Sequence, residues 1–279
     1  MAAEHGRIAL VTGANTGIGR LAAIALARAG FGVFLACRSR ERALPVLAEI
    51  RAEVPGACAE WLALDLEDLH SVRACAEAFL ARDIPLHLLL NNAGIAGARG
   101  LTTSGFERMF GVNHLGHFLL TELLLPRLRA SAPARIVVVA SRAHHRVSGI
   151  DFAALRRPTS SLTGIPEYGV SKLANILHAA ELGQRLAGSG VSAFSLHPGV
   201  LDTEIWRTLP APLRWLNSLR LAPASEGIGT ILHCALHAEA SDTGAYYSDG
   251  ARSDPAPCAR NTALAIELRD WSLAATGLG

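Results

Sequence analysis

Short β-branched or leucine-rich runs recur along this chain with longer segments of helical period between them, and that alternation leaves few folds open. The runs cover 8–11, 33–36, 61–64, 86–90, 136–140 and 191–196, and the helix-patterned segments lie near 18–29, 41–53, 71–82, 105–129 and 168–187. Strands linked through helices run parallel, and a parallel sheet must be covered on both faces. A further helix near 226–237 and a short strand at 245–248 would close such a sheet. The expected fold is therefore α/β, a doubly wound parallel sheet of about seven strands with helices on both faces. Half of the 279 residues are hydrophobic and 18% are charged, which is ample for the core this needs. No Pro/Gly/Ser-rich linker, repeat or low-complexity segment interrupts the pattern, so residues 1–279 read as a single domain.

Two stretches break the rhythm, 142–166 and 201–222. Both fall beyond the carboxyl ends of strands, where α/β sheets carry their ligand loops. The second holds Ile205, Trp206, Leu209, Leu213, Trp215, Leu216 and Leu219, more apolar bulk than an exposed loop tolerates. A lid over an apolar substrate, a contact with a second subunit of a homo-oligomer and a contact with a membrane surface all fit it.

Composition excludes several classes. The net charge of +2, with both signs dispersed, lacks the basic footprint of a nucleic-acid binder. Cys37, Cys58, Cys75, Cys234 and Cys258 are odd in number, widely spaced and without a Cys-x-x-Cys pair, which argues against a disulfide framework or a structural zinc. A reducing, cytoplasmic location is expected. The opening Met-Ala-Ala-Glu-His-Gly-Arg has no apolar signal region, and no run reaches the ~18 apolar residues of a membrane span, so no transmembrane anchor is expected. The pairs His144/His145 and His114/His117 come without carboxylate or cysteine partners at ligand spacing. No metal site is expected, and they read as loop and helix-surface histidines.

The chemistry begins directly after the first run, at Thr12-Gly13-Ala14-Asn15-Thr16-Gly17-Ile18-Gly19. Glycines there permit a tight turn and let backbone amides approach a pyrophosphate at the positive end of the next helix. The alternative is a glycine-rich turn that holds nothing. At the end of the second run, where an NAD-binding fold would place an acid for the ribose hydroxyls, stands Arg38. A guanidinium would grip a 2′-phosphate, so Arg38 points to NADP(H) over NAD(H), against the plainer reading of a solvated surface arginine. Asp65 in Leu-Asp-Leu66 and Asn91-Asn92-Ala93-Gly94 end the third and fourth runs, positions that line a coenzyme crevice or form ordinary turns.

Lys172 is the one lysine among 26 basic residues, and it follows Tyr168 by four. That spacing sets phenol and ammonium on one helical face, where the cation can pull the phenol below its usual ~10 and tune it as an acid or base. Ser141 follows a buried run, so its hydroxyl can hold a substrate oxygen or simply cap a turn. Asn113 lies within an apolar helix, where an amide serves catalysis or a buried polar network.

Together these motifs resemble the short-chain dehydrogenase/reductase family along the whole chain, five motifs in order at compatible spacing. The resemblance implies a Rossmann-type fold with Asn113, Ser141, Tyr168 and Lys172 as active-site residues. It implies a coenzyme held by Gly13, Asn15, Thr16, Gly17, Ile18, Arg38, Asp65, Leu66, Asn92, Ala93, Gly94, Tyr168 and Lys172. Pro198, Gly199, Val200 and Thr203 match the family's Pro-Gly segment, whose threonine contacts the nicotinamide amide. Within the family the chain is most similar to the retinol dehydrogenase-like branch, through Ala-Cys-Arg, Val-Asn-His-Leu-Gly-His-Phe, Ala-His-His, Ser-Lys-Leu-Ala-Asn and the 27-residue separation of Ser141 from Tyr168. Ala140 departs from that branch, which usually has a serine there. The implied activity is reversible hydride transfer between NADP(H) and an apolar aldehyde or ketone, or its alcohol. Ser141, Tyr168, Ile205 and Trp206 would face the substrate, and Asn113 would anchor a water linking Lys172 to solvent. A non-catalytic NADP(H)-sensing protein of the same fold is the alternative, although it would not need Ser141, Tyr168 and Lys172 together. A sugar-nucleotide epimerase shares the Tyr-Lys pair but usually carries an added substrate domain.

Overall fold

In the computed structural model, which describes residues 6–199 and 224–279, the runs become one sheet. Its strands are β1 (Ile8–Thr12), β2 (Gly32–Cys37), β3 (Ala59–Ala63), β4 (Leu88–Asn91), β5 (Ala134–Val139), β6 (Val191–His197), β7 (Tyr246–Ser248) and β8 (Ala251–Ser253). They lie in the order β3-β2-β1-β4-β5-β6-β7-β8, parallel except for the last pair. The chain direction across the sheet reverses between β1 and β4, and such a switch point opens a crevice at the carboxyl ends of the strands.

Strand residues alternate between two cores. Leu10, Phe34, Leu89, Ile136 and Val138 face α3 (Leu69–Leu80), α5 (Gly116–Ala130) and α6 (Ile165–Arg185). Val11, Leu35, Leu90, Val137 and Leu196 face α1 (Gly17–Arg28), α2 (Arg40–Glu53) and α7 (Ala224–Leu232). Each fully buried Leu or Phe contributes about 1.5–3 kcal/mol relative to exposure, and both faces of the central strands collect it. This is why the runs are apolar throughout rather than alternating with polar residues.

Two elements were not expected from the sequence. The antiparallel β8 makes eight strands instead of about seven; its Ala251-Arg252-Ser253 is exposed along its whole length and carries no apolar pattern. Helix α8 (Thr262–Thr276) buries Ala265, Leu268, Ser272 and Thr276, a stripe too small and polar to stand out by hydrophobic contrast. It packs on α6 through Arg269, which bonds Glu181 at 3.2 Å. Its Trp271 meets Phe106 and Phe110 edge-on at 6.0 and 5.7 Å.

The expected helix at 105–129 is broken into a single turn α4 (Arg108–Phe110), a π-helical turn (Gly111–Leu115) and α5. Of the two candidate substrate loops, 142–166 forms short 3-10 turns at Arg142–Arg146 and Ala154–Arg156. Arg99 ties it down by donating to the Leu162 and Thr159 carbonyls at 2.9 and 3.3 Å. The other, 201–222, lies outside the described residues.

Candidate active site

The turn between β1 and α1 is fixed from behind and open in front. Thr12 Oγ1 accepts the backbone N–H groups of Asn92 and Ala93 at 2.9 and 3.0 Å, and Asn92 Nδ2 returns to the Thr12 carbonyl at 2.8 Å. A Cβ on Gly19 would stand 2.4 Å from the Gly13 carbonyl oxygen, so no larger residue fits beneath the turn. In front, Gly17 has φ +53° and nothing within 4 Å of where a Cβ would be. Ser39, Asp68 and Asn261 cap α2, α3 and α8 with their side chains, but Thr16 makes no such bond at α1. The first-turn amides of α1 therefore keep the positive end of the helix available to an anion.

A cleft of about 760 Å³ begins at this turn. Gly13, Asn15, Thr16, Gly17, Ile18, Arg38, Asp65, Leu66, Asn92, Ala93 and Gly94 all line it, as does Arg42, which the sequence reading did not single out. Asp65 also steadies its own turn, Oδ1 accepting from the Glu67 amide at 3.0 Å. The open turn, the uncapped helix and a cleft of this volume fit a dinucleotide. At its far end a Cβ on Gly94 would meet Asn113 Oδ1 at 3.3 Å and Lys172 Nζ at 3.5 Å. Glycine there lets the backbone that lines the cleft lie against the lysine, while Asn113, Ser141, Tyr168 and Lys172 are not themselves among the lining residues.

Beyond Gly94 the surroundings become dry. Ser141 stands two residues beyond the end of β5 and caps the Arg142–Arg146 turn, its Oγ accepting from the Ala143 amide at 3.2 Å. Its hydroxyl is near enough to the Tyr168 phenol to pull that group's pKa downward. One helical turn along α6, Lys172 Nζ lies 5.6 Å from the Tyr168 ring centroid and donates to the Val139 carbonyl at 2.9 Å. Tyr168 is 5% exposed and Lys172 1%. Burial pushes the phenol up to about 12, with Ser141 pulling the other way, and pushes the ammonium down to about 7. The expected lowering of the phenol by Lys172 is thus reversed. Both groups have lost their water and each favours its neutral form, which leaves Tyr168 a proton donor at neutral pH.

Asn113 sits in the π turn with its side chain fully used. Oδ1 accepts from the Ile95 amide at 2.8 Å, while Nδ2 donates to the Ile95 carbonyl and Ser171 Oγ at 2.9 Å each. It joins the loop after β4 to α6 beside Lys172. Pro198 and Gly199 follow β6, Gly199 at φ +99°. Val200, Thr203, Ile205 and Trp206 lie outside the described residues.

This arrangement has counterparts among known proteins. The model of the short chain dehydrogenases matches residues 7–155. The chain is 44% identical to mouse retinol dehydrogenase 12 over 280 residues, 98% of this chain and 87% of that protein. The chain belongs to the short chain dehydrogenase family. Its fold matches the Pseudomonas aeruginosa RhlG/NADP active-site complex with a TM-score of 0.69 at 26% identity, covering 89% of this chain and 96% of that one. The 3-ketoacyl-(acyl-carrier-protein) reductase from Brucella melitensis, complexed with NADH, matches with a TM-score of 0.68 at 26% identity, covering 90% and 100%. As a short chain dehydrogenase the chain is an oxidoreductase of a fold that binds a nicotinamide coenzyme.

Within this dehydrogenase the histidines correct the sequence reading. His114 and His117 are buried at 1% exposure each, so they are not helix-surface groups; His144 lies in the loop as expected but is buried, and its neighbour His145 is exposed. His117 Nδ1 donates to the Asn113 carbonyl at 3.0 Å, which leaves Nε2 to accept from Thr12 Oγ1 at 2.9 Å. One neutral imidazole thereby locks the π turn to the coenzyme turn. His144 Nδ1 donates to the Ser141 carbonyl at 2.6 Å and Nε2 accepts the Ala256 amide at 3.1 Å. Burial holds the His117 imidazole down at about 4 and lowers that of His144 as well. Spacing carried a signal, since His117 is four residues after Asn113 and His144 three after Ser141, within reach of those carbonyls. Among the described residues no group of three or more His, Cys, Asp or Glu could hold a metal ion.

Proposed function

We propose that this chain is an NADP(H)-dependent oxidoreductase interconverting an apolar aldehyde or ketone and its alcohol, as the names of its retinol dehydrogenase relatives suggest. The observation that carries the reading is the buried group beyond Gly94: Tyr168, whose phenol the Ser141 hydroxyl pulls downward, and Lys172 one helical turn along α6, 3.5 Å from where a Cβ on Gly94 would stand. Bound in that cleft, the nicotinamide coenzyme supplies or accepts the hydride. The chain supplies the proton. In reduction Tyr168 donates its phenolic proton to the carbonyl oxygen while the Ser141 hydroxyl donates a hydrogen bond to the same oxygen. Lys172, charged below about 7, then steadies the phenolate. An apolar substrate is favoured by the walls around Tyr168, which are Ile95, Ala96, Ala98, Met109 and Ala143. NADP(H) is favoured by Arg38 and Arg42 at the rim of the cleft, since guanidinium groups match a phosphate bidentately. Five free thiols suit a reducing cytoplasm, a location that cell fractionation would check.

The test is consumption of NADPH or NADH by purified protein with carbonyls from short aldehydes to retinal and bulky ketones. Tyr168→Phe should reduce turnover at least 10²-fold, the scale of a lost general acid, and leave NADPH binding within about twofold. Substantial activity in that variant would sink the assignment. NADPH binding with no turnover of carbonyl or alcohol would make the protein a sensor.

A further inference from the structure

Glu67 has no part in the proposed reaction, yet it lines the coenzyme cleft beside Arg38 and is only 15% exposed. Its Oε1 accepts from Arg108 Nε at 3.2 Å and Nη2 at 2.9 Å. Arg38 Nη1 stands 3.7 Å from the same oxygen, too far for a hydrogen bond. One carboxylate thus lies between two guanidinium groups that reach it from β2's end and from α4. A carboxylate at this place would repel a 2′-phosphate and draw the Arg38 fork to itself, because carboxylate and phosphate offer a guanidinium the same pair of acceptors. Arg108 already holds it at hydrogen-bond distance, and the remaining attraction to Arg38 acts across a longer, half-exposed gap.

We propose that Arg108 is a specificity-determining residue: by clamping and neutralising Glu67 it leaves Arg38 free to take a 2′-phosphate. The inference rests on the NADP(H) reading of Arg38 and assigns the preference to a balance of three side chains. Losing Arg108 would release Glu67 onto Arg38. Binding of the 2′-phosphorylated coenzyme would fall, and the dephosphorylated form would be unaffected.

The experiment needs no turnover. Adenosine 2′,5′-bisphosphate and adenosine 5′-monophosphate differ by the 2′-phosphate alone, and each is titrated calorimetrically into the full chain. Wild type should bind the bisphosphate more tightly. Arg108→Met should lose roughly tenfold for the bisphosphate, about what one freed, partly screened charge does, with the monophosphate unchanged. Glu67→Gln placed on Arg108→Met should restore the bisphosphate, a rescue that a purely structural role for Arg108 would not give. Equal losses for both probes, or a double variant no better than Arg108→Met, would overturn the proposal. Arg38→Met separates the two levels. If it abolishes the preference and Arg108→Met does not, only the role of Arg108 fails. If wild type shows no preference and Arg38→Met changes neither probe, the NADP(H) reading fails and the role of Arg108 falls with it.

Discussion

At the glycine turn the chain presents backbone to an open cleft, whereas around Tyr168 it presents side chains inside a dry pocket. The first region works through absence: no Cβ on Gly13, Gly17 or Gly19 and no side-chain cap on α1. The second works through burial, which pushes Tyr168 up and holds Lys172 and His117 down. An anion site built of amides needs no titrating group and should be insensitive to pH. A buried region of desolvated phenol, amine and imidazole, where the proposed proton transfer would take place between Tyr168 and substrate, should respond to pH and to any change that admits water.

The largest difference expected is at the open end, between two glycines two residues apart. Gly19→Ala drives a methyl to within 2.4 Å of the Gly13 carbonyl oxygen and 2.5 Å of Asn92 Nδ2. The turn must shift, at a cost of about 1–3 kcal/mol in stability and with coenzyme binding weakened more than about tenfold. Gly17→Ala meets open space, and only its φ of +53° resists, a penalty on the order of 1 kcal/mol. Calorimetric titration of NADPH into both variants, beside their urea midpoints, checks the contrast. Equal losses would mean that the turn is held by conformation and not by packing.

Those glycines were legible because their spacing is local and their chemistry is that of the backbone. The Tyr168–Lys172 pair was legible for the same reason, four residues on one helix. What the sequence hid was burial. His117 and His144 looked like surface groups because nothing in a run of letters shows that the π turn and the Ala256 segment close over them. The sign of the Tyr168 shift was missed for the same cause, since neighbours are visible in sequence and solvent exclusion is not. Strand β8 and helix α8 escaped because one is wholly exposed and the other buries small or polar residues, so neither gives the apolar contrast that marked the central strands.

The buried end makes a prediction in pH. His117 titrates near 6.5 when unfolded and at about 4 when folded, so the unfolded chain takes up its proton first as pH falls. Its neutral state stabilises the fold fully above 6.5, and that contribution is lost progressively down to about 4, on the order of 3 kcal/mol for a fully buried group. His114, held at about 3 by burial, adds to the slope in the same direction. Lys172 acts in a different window, with stability rising as pH goes from about 7 to 10.5. Urea midpoints between pH 7.5 and 4.5 should therefore decline, and His117→Gln should flatten the decline. Gln can donate to the Asn113 carbonyl and accept from Thr12 without titrating. An unchanged slope in that variant would remove His117 from the account.

The smallest effect expected concerns how the dry pocket is kept in order. His144 does not line the cleft, but it ties the Ser141 carbonyl to the Ala256 amide and so anchors the segment that follows β5. With Ser141 held less firmly, the hydroxyl that must meet both Tyr168 and the substrate oxygen would sample wrong positions, at the cost of transition-state stabilisation and not of coenzyme affinity. His144→Ala should accordingly lower kcat about tenfold and leave the Kd for NADPH unchanged. His144→Asn, whose amide can make one of the two bonds, should recover part of the loss. A residue that merely filled space would instead lower thermal stability, with kcat preserved in the molecules that remain folded. The comparison of kcat with Tm across the two variants decides whether burial at this end of the site serves chemistry through position or only through packing.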